Sequence, residues 1–274
     1  FQNLSLSLAH LGRLPDTFEA ARNAFTDLEK VPASHHQKTT YTIFSHGHAG
    51  EAAARLPQDT AAGEHFSKAI DLGQDDWLAS LAGASHCTWL ARSGDFDHAR
   101  TAGEKNAAWC TEGGGLHDQT FVFATQALVE RLAWAAGDPK RKTLDEMQAF
   151  AEEAVKVGKR SGHHYYYTYA LLEAGRCAAA RAGYEPDRYD EHVASAKRYL
   201  AEAESRADYA GYRIIHADIH VTRAQLAKLA GDTPAMHEQC EKAIAICNDP
   251  TCDYAWAKQD AERLIAATDR GSER

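Results

Sequence analysis

The chain has 274 residues, 25% of them charged and 44% hydrophobic, with a formal net charge of −9. That composition reads as a soluble folded protein rather than a disordered one, and no apolar run approaches the ~20 residues that a bilayer span requires. The acidic balance argues against phosphate-backbone binding, which needs a basic face, so neither nucleic acid nor membrane is expected as a partner.

The chain opens at Phe1, and Ser5, Leu6, Leu8 and Leu11 already carry helical spacing. With no charged segment, apolar stretch and small-residue cleavage site at the start, we expect a fragment of a longer protein or a processed product. Apolar residues recur at three and four along the whole chain and β-branched runs are short, which predicts helix throughout. In chain order the pattern predicts six helix pairs: 2–13 with 16–30, 34–55 with 58–72, 76–93 with 95–111, 117–136 with 142–159, 163–182 with 187–207, and 212–230 with 234–247. A last helix, 253–267, caps them, giving one domain over 1–268 and a polar tail over 269–274. The six cysteines are scattered (87, 110, 177, 240, 247, 252), the pattern of reduced thiols, so a cytoplasmic location is expected.

The prolines punctuate this order. Pro15, Pro57, Pro139, Pro186 and Pro234 each follow one helix and open the next, where a missing N–H costs nothing and a preceding Asp or Thr can cap. Gly94-Asp95-Phe96 fills the equivalent place without proline, while Pro32 and Pro250 follow the second helix of a pair. The turns recur every 40–48 residues or so, the period of a two-helix repeat stacked into an all-α solenoid.

The second helices carry a small residue, a large one four later and alanine or another apolar residue three later: Ala21, Phe25 and Leu28; Ala62, Phe66 and Ala69-Ile70; Met236, Cys240 and Ala243-Ile244. Small residues for close helix contact stand at Ala224, Ala227, Gly175 and Ala178, and the turn "GDFDHA" covers 94–99. These features resemble the tetratricopeptide (TPR) repeat, although the period here is longer than the family's. The C-terminal segments "GYRIIHADIHVTRAQLAKLAGD" and "CNDPTCDYAWAKQDAERLI", with Cys252, Asp253, Tyr254 and Trp256, are similar to the end of the TPR arrays of bacterial NACHT/STAND-type NTPases. That resemblance implies a ligand-sensing array whose NTPase domain lies upstream of Phe1. The chain itself has no G-x-x-x-x-G-K-[ST] phosphate loop.

Candidate chemistry is sparse. His216 and His220 share a helix face at the spacing of zinc ligands, but they fall on the side of Ala224, Ala227 and Ala230, so packing is expected. Ser45-His46-Gly47-His48 and His35-His36 have spacings that point their rings apart on a helix. Cys247 and Cys252 form a lone C-x4-C, Gly113-Gly114-Gly115 reads as a linker, and Asp75-Asp76 and Glu152-Glu153 read as solvated pairs. No catalytic residue, metal or cofactor is expected.

The TPR resemblance implies a concave groove formed by the first helix of each pair. Its contact positions map onto Asp218, Val221, Gln225 and Lys228 in the sixth pair, and onto Tyr169, Leu172 and Arg176 in the fifth, with Tyr165 one turn earlier. His164 and Tyr167 fall instead on the packed side with Leu171, Ala174, Gly175 and Ala178. The expectation is a module that binds a protein or peptide in this groove, first as the sensor of a STAND-type NTPase. The alternative is a standalone TPR scaffold or peptide-responsive regulator. The reading from another class is a histidine-dependent metalloenzyme.

Overall fold

The computed structural model describes residues 2–32, 35 and 37–272, and among these all regular structure is helical. The helices are α1 (Gln2–His10), α2 (Leu14–Glu29), α3 (Lys38–Arg55), α4 (Asp59–Gly73), α5 (Ser80–Arg92), α6 (Phe96–Gly113) and α7 (Leu116–Ala136). They continue as α8 (Leu144–Ser161), α9 (His164–Tyr184), α10 (Tyr189–Ala210), α11 (Arg213–Leu229), α12 (Thr233–Cys247) and α13 (Ala255–Ser272), with a 3-10 turn at Pro186–Arg188. Each expected helix is present. Phe1, on which the expectation of a longer protein rests, His36, and the last two residues of the expected tail lie outside the described residues. No helix among the described residues is long and apolar enough to cross a membrane.

Three boundaries differ from the sequence pattern by four residues or more. The helix α3 starts at Lys38, and the expected start at 34 lies outside the described residues. The start of α5 moves from 76 to Ser80, because Leu78 is buried outside the helix and Ser80 takes φ +61°. Asn106 holds that strained residue, accepting from Ser80 N at 2.7 Å and donating to Ser80 O at 2.9 Å. The helix α13 runs to Ser272, so most of the expected tail is helical.

The turn chemistry is largely as the sequence dictates. Gly94 and Gly231 end α5 and α11 at φ +87° and +74°, a region open to glycine. The next residues, Asp95 and Asp232, cap α6 and α12 by accepting from His98 N at 3.3 Å and Ala235 N at 3.0 Å. Pro15 and Pro234 lie in the first turns of α2 and α12, and Pro186 opens the 3-10 turn. Pro57 and Pro139 stay in the connections instead. After Pro139, Thr143 starts α8 through a reciprocal capping box with Glu146.

Consecutive helices pack on one another, and the odd-numbered helices also pack side by side in the order α1, α3, α5, α7, α9, α11, α13. The even helices bury the small–large–small face, with Ala62, Phe66 and Ala69 of α4 and Met236, Cys240 and Ala243 of α12 inaccessible to solvent. Close approach depends on small residues: a Cβ at Gly175 would sit 2.9 Å from the Leu200 side chain of α10. Contacts between distant segments then close the odd helices on each other. The end of α1 meets the start of α11, where a Cβ on Gly12 would lie 3.1 Å from Arg213 Cβ. His10 stacks on Tyr165 of α9 at 3.7 Å between ring centroids. Arg92 of α5 grips Asp260 of α13 through two hydrogen bonds of 3.0 and 3.1 Å.

Candidate partner-binding site

The helix α9 is the hub of this arrangement. Every residue from Tyr165 to Ala179 is buried, because α7, α8, α10 and α11 surround it and α1 covers its N-terminal turn. Tyr169 lies against Phe121 of α7 at 5.1 Å, and Tyr165 meets Tyr212 edge-on at 5.1 Å. His164 and Tyr167 turn to the other side, as expected. His164 Nδ1 lies 3.3 Å from Tyr212 Oη, and the Tyr167 hydroxyl donates to Glu202 at 3.0 Å beneath the Arg206 guanidinium.

The residues expected to line an open groove divide into two groups. Tyr165, Tyr169, Leu172, Arg176, Asp218 and Val221 are buried, which corrects the expectation that they present a free surface. Tyr165 meets His10 of α1, Tyr169 meets Phe121 of α7 and Arg176 meets Asp218 of α11. What covers them is the closure just described. Gln225 is half-buried and Lys228 is exposed.

Arg176 anchors a charged chain through the interior. Its Nη2 lies 2.6 Å from Asp218 Oδ1, and it also pairs with Glu173 one turn earlier. Glu173 receives Arg131 of α7 at 3.2 Å, and the Tyr254 hydroxyl donates to Asp218 at 3.1 Å. Burial pushes the Asp218 carboxyl above its ordinary pKa, against the pull of Arg176. Burial also works to raise Glu173, but Arg131 and Arg176 together hold it below the usual carboxylate value. Two arginines and two carboxylates thus neutralise one another across α7, α9 and α11.

At the end of that chain a cleft of about 670 Å³ opens. Arg131, Arg176, Gln225 and Lys228 supply its polar wall, and Tyr184, Leu229 and Leu264 its apolar one. Three expected groove residues, Arg176, Gln225 and Lys228, therefore come together here. The others do not reach it. Sequence reasoning missed Arg131, Tyr184 and Leu264. Groove positions were mapped only in the fifth and sixth pairs, so Arg131 of the fourth falls outside the mapping, and Leu264 belongs to a helix read only as a cap.

The remaining candidates have local partners. His216 Nε2 lies 3.2 Å from Asp208, and His220 Nδ1 lies 2.9 Å from Gln239 Oε1. His46 and His65 face each other at 3.0 Å between Nδ1 atoms. Gly115 is the N-cap residue of α7, Asp76 pairs with Lys105, and Glu153 pairs with Lys156. Cys247 and Cys252 are buried free thiols whose pKa values burial raises, that of Cys252 to about 11. No group of three or more His, Cys, Asp or Glu side chains among the described residues could hold a metal ion. Ser80 Oγ donates directly to Asp118 at 2.5 Å and His117 lies beyond that carboxylate at 3.5 Å, so no imidazole stands between the hydroxyl and the acid as a nucleophilic relay requires.

The chain matches no protein-family model, and no curated protein matches it.

Proposed function

We propose that this chain is a TPR-like helical repeat that binds a segment of a partner protein, and that the cleft lined by Arg176, Gln225 and Lys228 receives it. The carrying observation is that cleft. It gathers exposed apolar surface, Tyr184 and Leu229, beside polar side chains at the common edge of α7, α9 and α11. Concave surfaces built by successive repeats are the usual recognition surfaces of such arrays. Because Glu173 and Asp218 neutralise Arg131 and Arg176, Lys228 is, among the described residues lining the cleft, the cation left for a partner. A complementary segment brings an aliphatic or aromatic side chain with an acidic group beside it.

The C-terminal resemblance supports a more specific reading, the ligand-sensing array of a bacterial STAND-type NTPase. Binding would then act by favouring one arrangement of the array over another.

Selection of a displayed peptide library on the intact chain tests the binding reading. A selected peptide should lose at least about tenfold in affinity to a Gln225→Ala, Lys228→Glu variant, roughly 1.4 kcal/mol. The melting temperature of that variant should stay nearly unchanged, since both positions are accessible. Undiminished affinity would refute this cleft as the site.

A further inference from the structure

The helix α13 does more than cover the last pair. Ala257 and Ala261 seat it against the end of the array, as a capping helix requires. A second stripe, Trp256, Asp260 and Leu264 at i, i+4 and i+8, turns toward the odd helices. Trp256 lies under the Arg92 guanidinium at 4.9 Å and Asp260 receives both Arg92 Nη atoms. Space remains on both flanks. On one side a cleft of about 380 Å³ separates Trp256, Asp260 and Arg263 from Trp89, Phe96 and Leu132. On the other, Leu264 borders the 670 Å³ cleft. Ala135 of α7 lines both, so they are two parts of one groove across the C-terminal halves of α5, α7, α9 and α11.

We propose that α13 is an intramolecular stand-in for the partner: this groove accepts an amphipathic helix of a partner protein carrying an aromatic, an acidic and an aliphatic residue at i, i+4 and i+8, and α13 yields to it. The inference rests on the binding reading above and names the partner's class. Three observations single out a helix of that chemistry. A helix with that stripe already lies along the groove. Arg92 on the groove wall holds the acid of that stripe, Asp260, which also receives Arg263 of its own helix at 3.2 Å. The clefts beside α13 give an incoming helix a foothold before displacement is complete. The Arg92–Asp260 pair keeps 15% and 25% of its side-chain surface accessible, so it lies at the groove's edge, where an incoming acidic group can reach Arg92. Helix-in-groove recognition reads such i, i+4 anchors.

Hydrogen exchange and peptide titration on the intact chain test this. Arg92→Ala and Asp260→Ala should each speed exchange of the α13 amides at least about tenfold while α9 amides keep their rates. The charge swap Arg92→Asp with Asp260→Arg should restore protection. A labelled peptide of residues 253–272 should bind the Asp260→Ala chain at least about tenfold more tightly than the native chain. The same peptide carrying Asp260→Arg should not bind. Exchange of α13 only together with α9 would make it a fixed structural cap and overturn the proposal, as would a 253–272 peptide that binds neither chain. A library peptide that needs Gln225 and Lys228 but does not compete with the 253–272 peptide overturns this proposal and leaves the binding reading standing. No binding by any peptide to the opened chain overturns both.

Discussion

Arg176 and Asp218 face each other across the α9–α11 interface at 2.6 Å, and both are buried. Each carries a second bond, Arg176 to Glu173 and Asp218 to the Tyr254 hydroxyl, so the pair links three segments of the chain. Removing one partner of such a pair costs far more than the pair contributes, because a buried charge is left without compensation. Arg176→Ala is expected to destabilise the fold by about 3–5 kcal/mol. Asp218→Asn should cost less than this, since burial already favours the neutral acid at that position. Urea denaturation of both variants checks the order; equal or inverted losses would contradict it.

The hydroxyl of Tyr166 is buried with no hydrogen-bond partner among the described residues. Its ring packs against His163 at 4.5 Å and Phe121 at 5.4 Å. Tyr166→Phe removes the unsatisfied group and keeps the packing, so the variant should be neutral or more stable by up to about 1 kcal/mol. Tyr166→Ala should lose about 3–5 kcal/mol through the cavity it leaves. Measured unfolding free energies separate the two. A costly Tyr166→Phe would show that the hydroxyl is bonded.

Two glycines contrast backbone with side-chain contact. A Cβ at Gly83 would lie 1.9 Å from the Leu78 carbonyl oxygen, which cannot rotate away. A Cβ at Gly175 would meet only the flexible Leu200 side chain at 2.9 Å. Gly83→Ala should therefore cost about 2–3 kcal/mol and Gly175→Ala about 1 kcal/mol. Thermal melts of the two variants give the comparison, and a milder Gly83→Ala would refute the rigid contact.

Histidines make the fold acid-sensitive. Burial, with His163 and Arg55 nearby, lowers the His10 pKa to about 3, and burial lowers His86 to about 4 against the opposing Asp95. Both are neutral in the folded chain, whereas the unfolded chain takes up protons below about 6.5. Stability from these groups is complete above that value and falls as pH drops toward 4, by at most about 1.4 kcal/mol per pH unit for each histidine. Asp218 opposes them, because a raised carboxylate pKa favours the folded state as pH falls. Urea midpoints from pH 7.5 to 5 should decline, and His10→Phe with His86→Phe should flatten the slope. A flat native profile would contradict the lowered values.

The sequence by itself determined the helices, most of their ends and the two sides of α9. Proline and Gly-Asp turns act over a few residues, and helical periodicity acts over one or two turns, so both can be read without neighbours. Hence Tyr165 and Tyr169 were assignable to one side of α9 and His164 and Tyr167 to the other. Only the tertiary structure decided which inward faces stay open. The approach of His10 to Tyr165, and of Arg92 to Asp260, depends on small rotations between packed helices that accumulate along the chain. No local pattern records that sum. It buries Asp218 and Val221, leaves Gln225 and Lys228 at a cleft, and brings α13 along the groove.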